Sequence, residues 1–291
     1  MEYQLFLGCV IPARIPFVEA SARKVFNKLG IQVKDIKGAS CCPDPTGMPA
    51  VDLTSWLALG ARNLSLIESN GTAISLCSGC VETLKSVNHE LKKDAGKKDE
   101  INGILNKIGK KYKGTAVIEH AARILYENLG KIKENVTNPL TGLKVACHYG
   151  CHYLRPSEII NWDDPIEPTT LDAIIEALGA DSIEYTAKMD CCGNPCSKTN
   201  ENLSNELLYK KLRSIEDSGA NCVAVVCPAC FLQFDITQHA VNKQFNKNYN
   251  FPVFYLTELM ALAFGFDEKE LGLRFHRTKT TSILQGSADK G

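Results

Sequence analysis

The pattern of hydrophobic and polar positions runs through one series of segments twice. Short β-rich runs at 3–7 and 143–146 open each series. Apolar residues at helical spacing follow at 18–29 and 171–178. Each of these helices stops at a glycine, Gly30 or Gly179, the usual residue for a left-handed C-terminal position. Second strands are predicted at 31–36 and 182–185, second helices at 52–69 and 202–218, and third strands at 73–76 and 222–226. Helical segments at 81–93 and 231–243 and a closing strand-helix unit at 115–129 and 251–264 complete each half.

Alternation of this kind predicts an α/β fold of two duplicated Rossmann-like domains. Each is expected to be a parallel sheet flanked by helices, with the pair related by pseudo-two-fold symmetry and ligands outside the carboxyl ends of the strands. The domain boundary is expected within 133–142, where Asn135, Asn138, Pro139 and Gly142 interrupt the periodicity. The domains are therefore 1–138 and 139–291, the second carrying a C-terminal tail. After Leu273 the polar tail reads as weakly structured, either solvated or docked on a partner.

Composition narrows the functional classes. The 291 residues are 44% hydrophobic and 23% charged, as in a globular protein of about two domains. Thirty-three Lys+Arg balance thirty-three Asp+Glu, so no overall basic field favours a nucleic-acid backbone or an anionic membrane. No apolar run reaches the ~18 to 20 residues of a membrane span, and the first residues lack the basic region of a signal peptide, so a cytoplasmic location is expected.

Thirteen cysteines change the picture, because a cysteine-rich chain in a reducing compartment more often binds metal or does redox chemistry than forms disulfides. Ten of them repeat. Cys41-Cys42 precedes Cys77-Ser78-Gly79-Cys80 with thirty-four residues between Cys42 and Cys77, and Cys191-Cys192 precedes Cys227-Pro228-Ala229-Cys230 at the same spacing. A single cysteine after glycine opens each set, Gly8-Cys9 and Gly150-Cys151. Each half thus offers five thiols on three loops at strand ends, and duplication explains the coincidence. Cys147, Cys196 and Cys222 have no counterpart in the other half and read as small buried hydrophobes.

Thiolates select zinc, copper(I) or iron-sulfur clusters. A tetrahedral zinc saturates with four ligands and leaves one cysteine over. Adjacent cysteines diverge, so they chelate one ion poorly but can reach two metals of one cluster. Iron-sulfur ligation fits best, while a zinc-stabilised scaffold without catalysis and a thioredoxin-like CxxC exchanger stay open. There is no C-x₂-C-x₂-C-x₃-C-P run, no GxGxxG at a strand-helix turn and no flavin or nickel signature, so electrons are expected from partner subunits.

Cys9 to Cys80 and Cys151 to Cys230 resemble the two copies of the cysteine-rich CCG domain. Cys191-Cys192-Gly193 matches its signature literally, and Cys41-Cys42-Pro43 departs from it at one residue. Two such domains filling nearly the whole chain most resemble the family of heterodisulfide reductase B subunits of methanogenic archaea. The resemblance implies two non-cubane [4Fe-4S] clusters. The first would be bound by Cys9, Cys41, Cys42, Cys77 and Cys80, and the second by Cys151, Cys191, Cys192, Cys227 and Cys230. The clusters themselves would be the catalytic groups, reducing the coenzyme M-coenzyme B heterodisulfide to two thiols in methanogenesis. Implied partners are a flavin-containing A subunit, a ferredoxin-like iron-sulfur C subunit, and upstream a hydrogenase or formate dehydrogenase. The alternative within the same domain family is a protein that transfers electrons between a flavin dehydrogenase and a quinone. An anionic disulfide needs cations near the cluster loops, and Arg14 and Arg155, shortly after the first cysteine of each half, are the candidates. His148, His152 and His120 are candidates for protonating departing thiolates.

Overall fold

The computed structural model describes residues 2–68 and 71–280. Eight short strands form in chain order: β1 (Glu2–Phe6), β2 (Gln32–Asp35), β3 (Thr72–Ser75), β4 (Val117–His120), β5 (Lys144–His148), β6 (Asp181–Ser182), β7 (Cys222–Val225) and β8 (Val253–Tyr255). They make two four-stranded sheets of order β2-β1-β3-β4 and β6-β5-β7-β8, parallel at every pairing. Equivalent registers hold the two sheets, Phe6 opposite Ser75 in one and His148 opposite Val225 in the other. The expected α/β fold with duplicated parallel sheets is the one observed.

Local chemistry explains the departures. The strand expected at 182–185 shrinks to Asp181–Ser182, because the Tyr185 hydroxyl donates to the Cys147 carbonyl at 3.0 Å and occupies an acceptor the ladder would otherwise use. A helix at Ala95–Asn106 is not evident from the periodicity. Its N-cap is Asp94, whose carboxylate accepts from the Lys97 amide at 3.0 Å. The expected end of the 52–69 helix lies outside the described residues, and the helix observed is Leu53–Ile67.

The two halves share a core rather than merely touching. Helix Pro16–Lys28 packs on helix Leu256–Ala263, placing Val18 and Val25 in the same buried cluster as Met260 and Ala263, with Ser21 and Thr257 hydroxyls paired at 2.9 Å. Helix Thr170–Ala177 packs on Ala121–Tyr126 in the reciprocal sense. Reciprocity extends to single bonds near the cysteine loops. His120 at the end of β4 meets the Val226 carbonyl at 3.0 Å, and Tyr255 at the end of β8 donates to the Leu76 carbonyl. Leu76 and Val226 each precede the first cysteine of a CxxC, so each half fixes the other's loop.

The tail differs from expectation. Residues up to Thr280 pack against the second sheet, with His276, Thr278 and Thr280 buried. The Asp235 carboxylate accepts from the Arg277 and Thr278 amides and the Thr278 hydroxyl, and Thr278 in turn accepts from the Val253 amide of β8 at 3.2 Å. The segment looks like a solvated terminus because its stabilising partners lie 18 to 43 positions away in sequence. Residues 281–291 of that expectation lie outside the described residues. Among the described residues no helix is long and apolar enough to cross a membrane.

Candidate metal centre

All ten repeated cysteines line one cavity of about 210 Å³ at the carboxyl ends of the strands. The third strand of each half delivers its CxxC directly. Helix Ser78–Lys93 follows β3, with the Cys77 thiol accepting from the Cys80 amide at 3.4 Å, and helix Pro228–Phe245 follows β7 with Cys227 at its N-cap and a proline at its first position. Opening cysteines come from the turn after the first strand. Gly8 and Gly150 both have positive φ, which a side chain rarely adopts. A Cβ at Gly8 would stand 2.7 Å from the Cys80 sulfur, and one at Gly150 3.4 Å from the Cys230 sulfur. Glycine there keeps clear the space next to the thiols.

The vicinal pairs are held from outside. In the first half the buried Asn63 amide donates to the Cys41 carbonyl at 2.9 Å and accepts from the Ser40 amide at 3.0 Å. The second half uses a lysine. Lys211 is fully buried, and its ammonium donates to the carbonyls of Ala187, Lys188 and Asp190 at 2.5, 3.1 and 2.9 Å, which pins the segment leading into Cys191. Gly193 has φ +90°, and a Cβ there would meet the Ser204 carbonyl at 2.5 Å. Proline cannot take that conformation, since its ring holds φ near −65°. The loop at Pro43 therefore runs differently, with the Pro43 carbonyl accepting from Thr83 at 2.9 Å.

Sulfur contacts link the thiols within and between halves. Cys9 and Cys41 sulfurs are 3.6 Å apart, Cys192 and Cys230 sulfurs 3.7 Å, and the Cys77 and Cys227 thiols interact across the pseudo-two-fold axis. Hydrogen bonds from Cys41 and then Cys80 pull Cys42 down to about 4, and those from Cys151 and then Cys192 pull Cys191 down to about 2. Their donors move the other way. Cys41 is pushed up by the bond to Cys42, and Cys151 by the bond to Cys191. So many thiols at this spacing ionise together only around positive charge, which is what a bound iron-sulfur centre supplies. Five soft donors on each side of a space kept clear by glycine fit such a centre.

The other candidates divide. His152 lines the cavity, and its Nδ1 lies 3.9 Å from the buried Glu82 of the first half. His148 lies beneath the second set of thiols. It is 1% exposed, its nearest ring nitrogen is within 4.8 Å of the Cys192 and Cys230 sulfurs, and among the described residues neither ring nitrogen has a hydrogen-bond partner. Burial holds its pKa well below the ordinary histidine value. His120 is a structural residue. One ring nitrogen faces the Val226 carbonyl, the other accepts from the Ala122 amide at 3.1 Å, and burial lowers its pKa to about 4. Arg14 and Arg155, expected to border the cleft, are not among the residues lining the cavity. Both are exposed, and Arg155 donates instead to the Pro165 carbonyl at 2.8 Å. Cys147, Cys196 and Cys222 also lie off the cavity wall.

Sequence reasoning passed over Lys211, Asn63 and Glu82. A signal existed for the lysine: it falls on the stripe Ser204, Leu208, Lys211, Leu212, Ile215 that helix Glu201–Ser218 turns to the core. A cation at such a position needs partners.

Comparison with known proteins places this geometry. The Cysteine-rich domain family, CCG, matches residues 3–85 and 145–235, the two cysteine sets with their strands. The chain is 42% identical over 288 residues to the B subunit of the ferredoxin/F(420)H(2)-dependent CoB-CoM heterodisulfide reductase of Methanosarcina acetivorans, covering 97% of this chain and 96% of the relative. It is 40% identical to the B subunit of the ferredoxin:CoB-CoM heterodisulfide reductase of Methanosarcina mazei at the same coverage. It is also 33% identical to the 8-methylmenaquinol:fumarate reductase membrane anchor subunit of Wolinella succinogenes, over 97% of this chain and 99% of that one. A crystal structure of a hypothetical protein from Helicobacter pylori shares the fold, with a TM-score of 0.75 at 18% identity. The match covers 97% of this chain and 52% of that one, so the present fold spans about half of the larger structure. The chain belongs to the cysteine-rich CCG-domain family, together with the heterodisulfide reductase B subunits to which it is 40–42% identical.

Proposed function

We propose that this chain is the disulfide-reducing subunit of a heterodisulfide reductase, converting the coenzyme M-coenzyme B heterodisulfide, two electrons and two protons into two thiols. The observation that carries this reading is the single cavity onto which ten cysteines from both halves open. Two [4Fe-4S] clusters of non-cubane type bound there supply one-electron redox chemistry on both sides of one disulfide. Cys9, Cys41, Cys42, Cys77 and Cys80 hold the first, and Cys151, Cys191, Cys192, Cys227 and Cys230 the second. The protein's own residues set the geometry. Asn63 and Lys211 fix the vicinal pairs, and the reciprocal bonds of His120 and Tyr255 fix the two CxxC loops against each other. His152, on the cavity wall beside Glu82, is the group placed to deliver protons. The domain boundary lies at 138/139. A cytoplasmic complex supplies the electrons through ferredoxin-like iron-sulfur and flavin subunits, with a hydrogenase or formate dehydrogenase upstream.

Similarity to the menaquinol:fumarate reductase protein favours a second reading, electron transfer between a flavin dehydrogenase and a quinone. Two measurements on the anaerobically purified chain decide. About eight irons with matching sulfide are expected, whereas zinc alone removes both redox readings. Reduced-viologen-dependent cleavage of the heterodisulfide is then expected. Oxidation of a menaquinol analogue without disulfide cleavage would favour the second reading.

A further inference from the structure

The two cradles share their thiols but not their surroundings, and the charged and donor residues that differ at the cavity wall and next to the vicinal pairs in the buried shell have one electrostatic sense. Strand register equates Phe6 with His148, since they stand opposite Ser75 and Val225 respectively. The common spacing from vicinal pair to CxxC equates Ala61 with Lys211, Asp44 with Asn194 and Glu82 with Leu232. The first cradle therefore has a carboxylate at its wall, Asp44, and a buried one behind Cys42, Glu82, which lies 3.9 Å from the His152 ring. The second has neutral Asn194 at the equivalent wall position and a buried lysine behind its vicinal pair. Three carbonyls satisfy the three N–H bonds of that ammonium, and among the described residues no carboxylate pairs with it. Its charge is therefore balanced only through space, by the cradle thiols and by the solvent-exposed Asp190 carboxylate. His148 completes the set. A neutral imidazole must carry one N–H, and a buried donor without an acceptor is costly. Its ring nitrogen lies by the Cys192 and Cys230 sulfurs, so sulfur of a bound centre is the acceptor in reach. The two opposing charges near the vicinal pairs, Asp190 and Arg62, lie off the cavity, the first exposed and the second partly so, where solvent screens them.

An added electron is stabilised by nearby positive charge and by hydrogen bonds to the cluster sulfurs, and destabilised by carboxylates. We propose that the second cradle is built to hold the more easily reduced of the two clusters, with His148 and Lys211 as positioning residues that favour the electron there. This rests on the iron-sulfur reading above. Electrons arriving singly from an iron-sulfur partner would populate the second cluster first, and the first cluster would be the stronger reductant.

The test is an anaerobic redox titration of the full chain with dithionite and mediators, followed by electron paramagnetic resonance alongside iron and sulfide analysis. Fewer than two clusters in the wild type would sink the iron-sulfur reading itself. With both clusters present, two one-electron midpoint potentials should be resolved, separated by at least a tenfold difference in reduction equilibrium, about 59 mV. His148→Phe, which installs the residue of the first half, and Lys211→Met should each lower the higher potential by a similar factor and leave the lower one in place. Coincident wild-type potentials overturn the proposal without any variant. So does a shift confined to the lower potential, or none at all, in a variant that keeps its iron; if one variant loses iron, the other decides.

Discussion

Cys41-Cys42-Pro43 and Cys191-Cys192-Gly193 present the same pair of thiols, yet the first is tied by a neutral amide and the second by a buried ammonium. The comparison separates two kinds of constraint. Thiol spacing is set by where the strands end, and that is unchanged across the duplication because a metal centre tolerates little displacement of its ligands. The supports behind the loops need only hold a carbonyl, so amide and ammonium both serve. Their charge is then free to differ, and with it the environment of whatever the thiols bind.

The largest effect should come from breaking one cradle at a time. Cys42→Ala and Cys192→Ala are each expected to lose about half of the iron and to reduce disulfide cleavage to background, because both electrons must reach one disulfide. Iron analysis and the viologen-linked assay read the two outcomes separately. Loss of all iron in either variant would show that the cradles assemble as one unit and that the comparison of independent halves is wrong.

A second asymmetry lies at the sheet edges. Edge strand β8 is covered by the tail, where His276 faces the Val253 carbonyl and the Glu258 carboxylate, both at 2.9 Å, whereas Val117 on edge strand β4 is half exposed. Covering an edge removes unpaired backbone groups from solvent. Burial alone would lower the His276 pKa, but the Glu258 carboxylate outweighs it and the net shift is upward. A raised folded value means that this stabilisation is full below the unfolded histidine pKa of about 6.5 and is lost as pH rises through the folded value. His276→Ala should cost about 3–5 kcal/mol in denaturant unfolding near pH 6 by leaving Glu258 buried and unpaired. The cost should shrink at higher pH. A penalty that does not vary with pH would show that His276 contributes packing alone.

Much of this was legible because the informative features are local in sequence. Strand-helix alternation and cysteine spacing lie within segments of a few tens of residues, and both correspond to what the structure builds. What sequence concealed was pairing over distance. The tail looked unstructured because Asp235 and Glu258, its partners, lie far upstream. Arg14 and Arg155 follow the opening cysteines in sequence, yet neither is among the residues lining the cavity, and the Pro165 carbonyl that Arg155 binds lies ten positions on. Lys211 passed as one more helix lysine, since only the three-dimensional position of the Cys191 loop reveals the carbonyls it binds.

The smallest expected effect tests the boundary between ligand and filler. Cys222 begins β7 and is fully buried, and among the described residues its sulfur has only a long polar contact, 3.9 Å, to the Lys144 carbonyl. Burial pushes its thiol well above the ordinary value, with no neighbouring thiol or cation to favour the thiolate a metal needs. It stands at the opposite end of its strand from Cys227, which is the cavity end. Cys222→Ala removes one sulfur from a packed site, so a destabilisation of about 1 kcal/mol is expected from the lost contacts. Iron, sulfide and both midpoint potentials should remain at wild-type values. A Cys222→Ala chain with less iron than wild type would place a ligand outside the repeated ten, and the equivalence between the two five-thiol sets would fail with it.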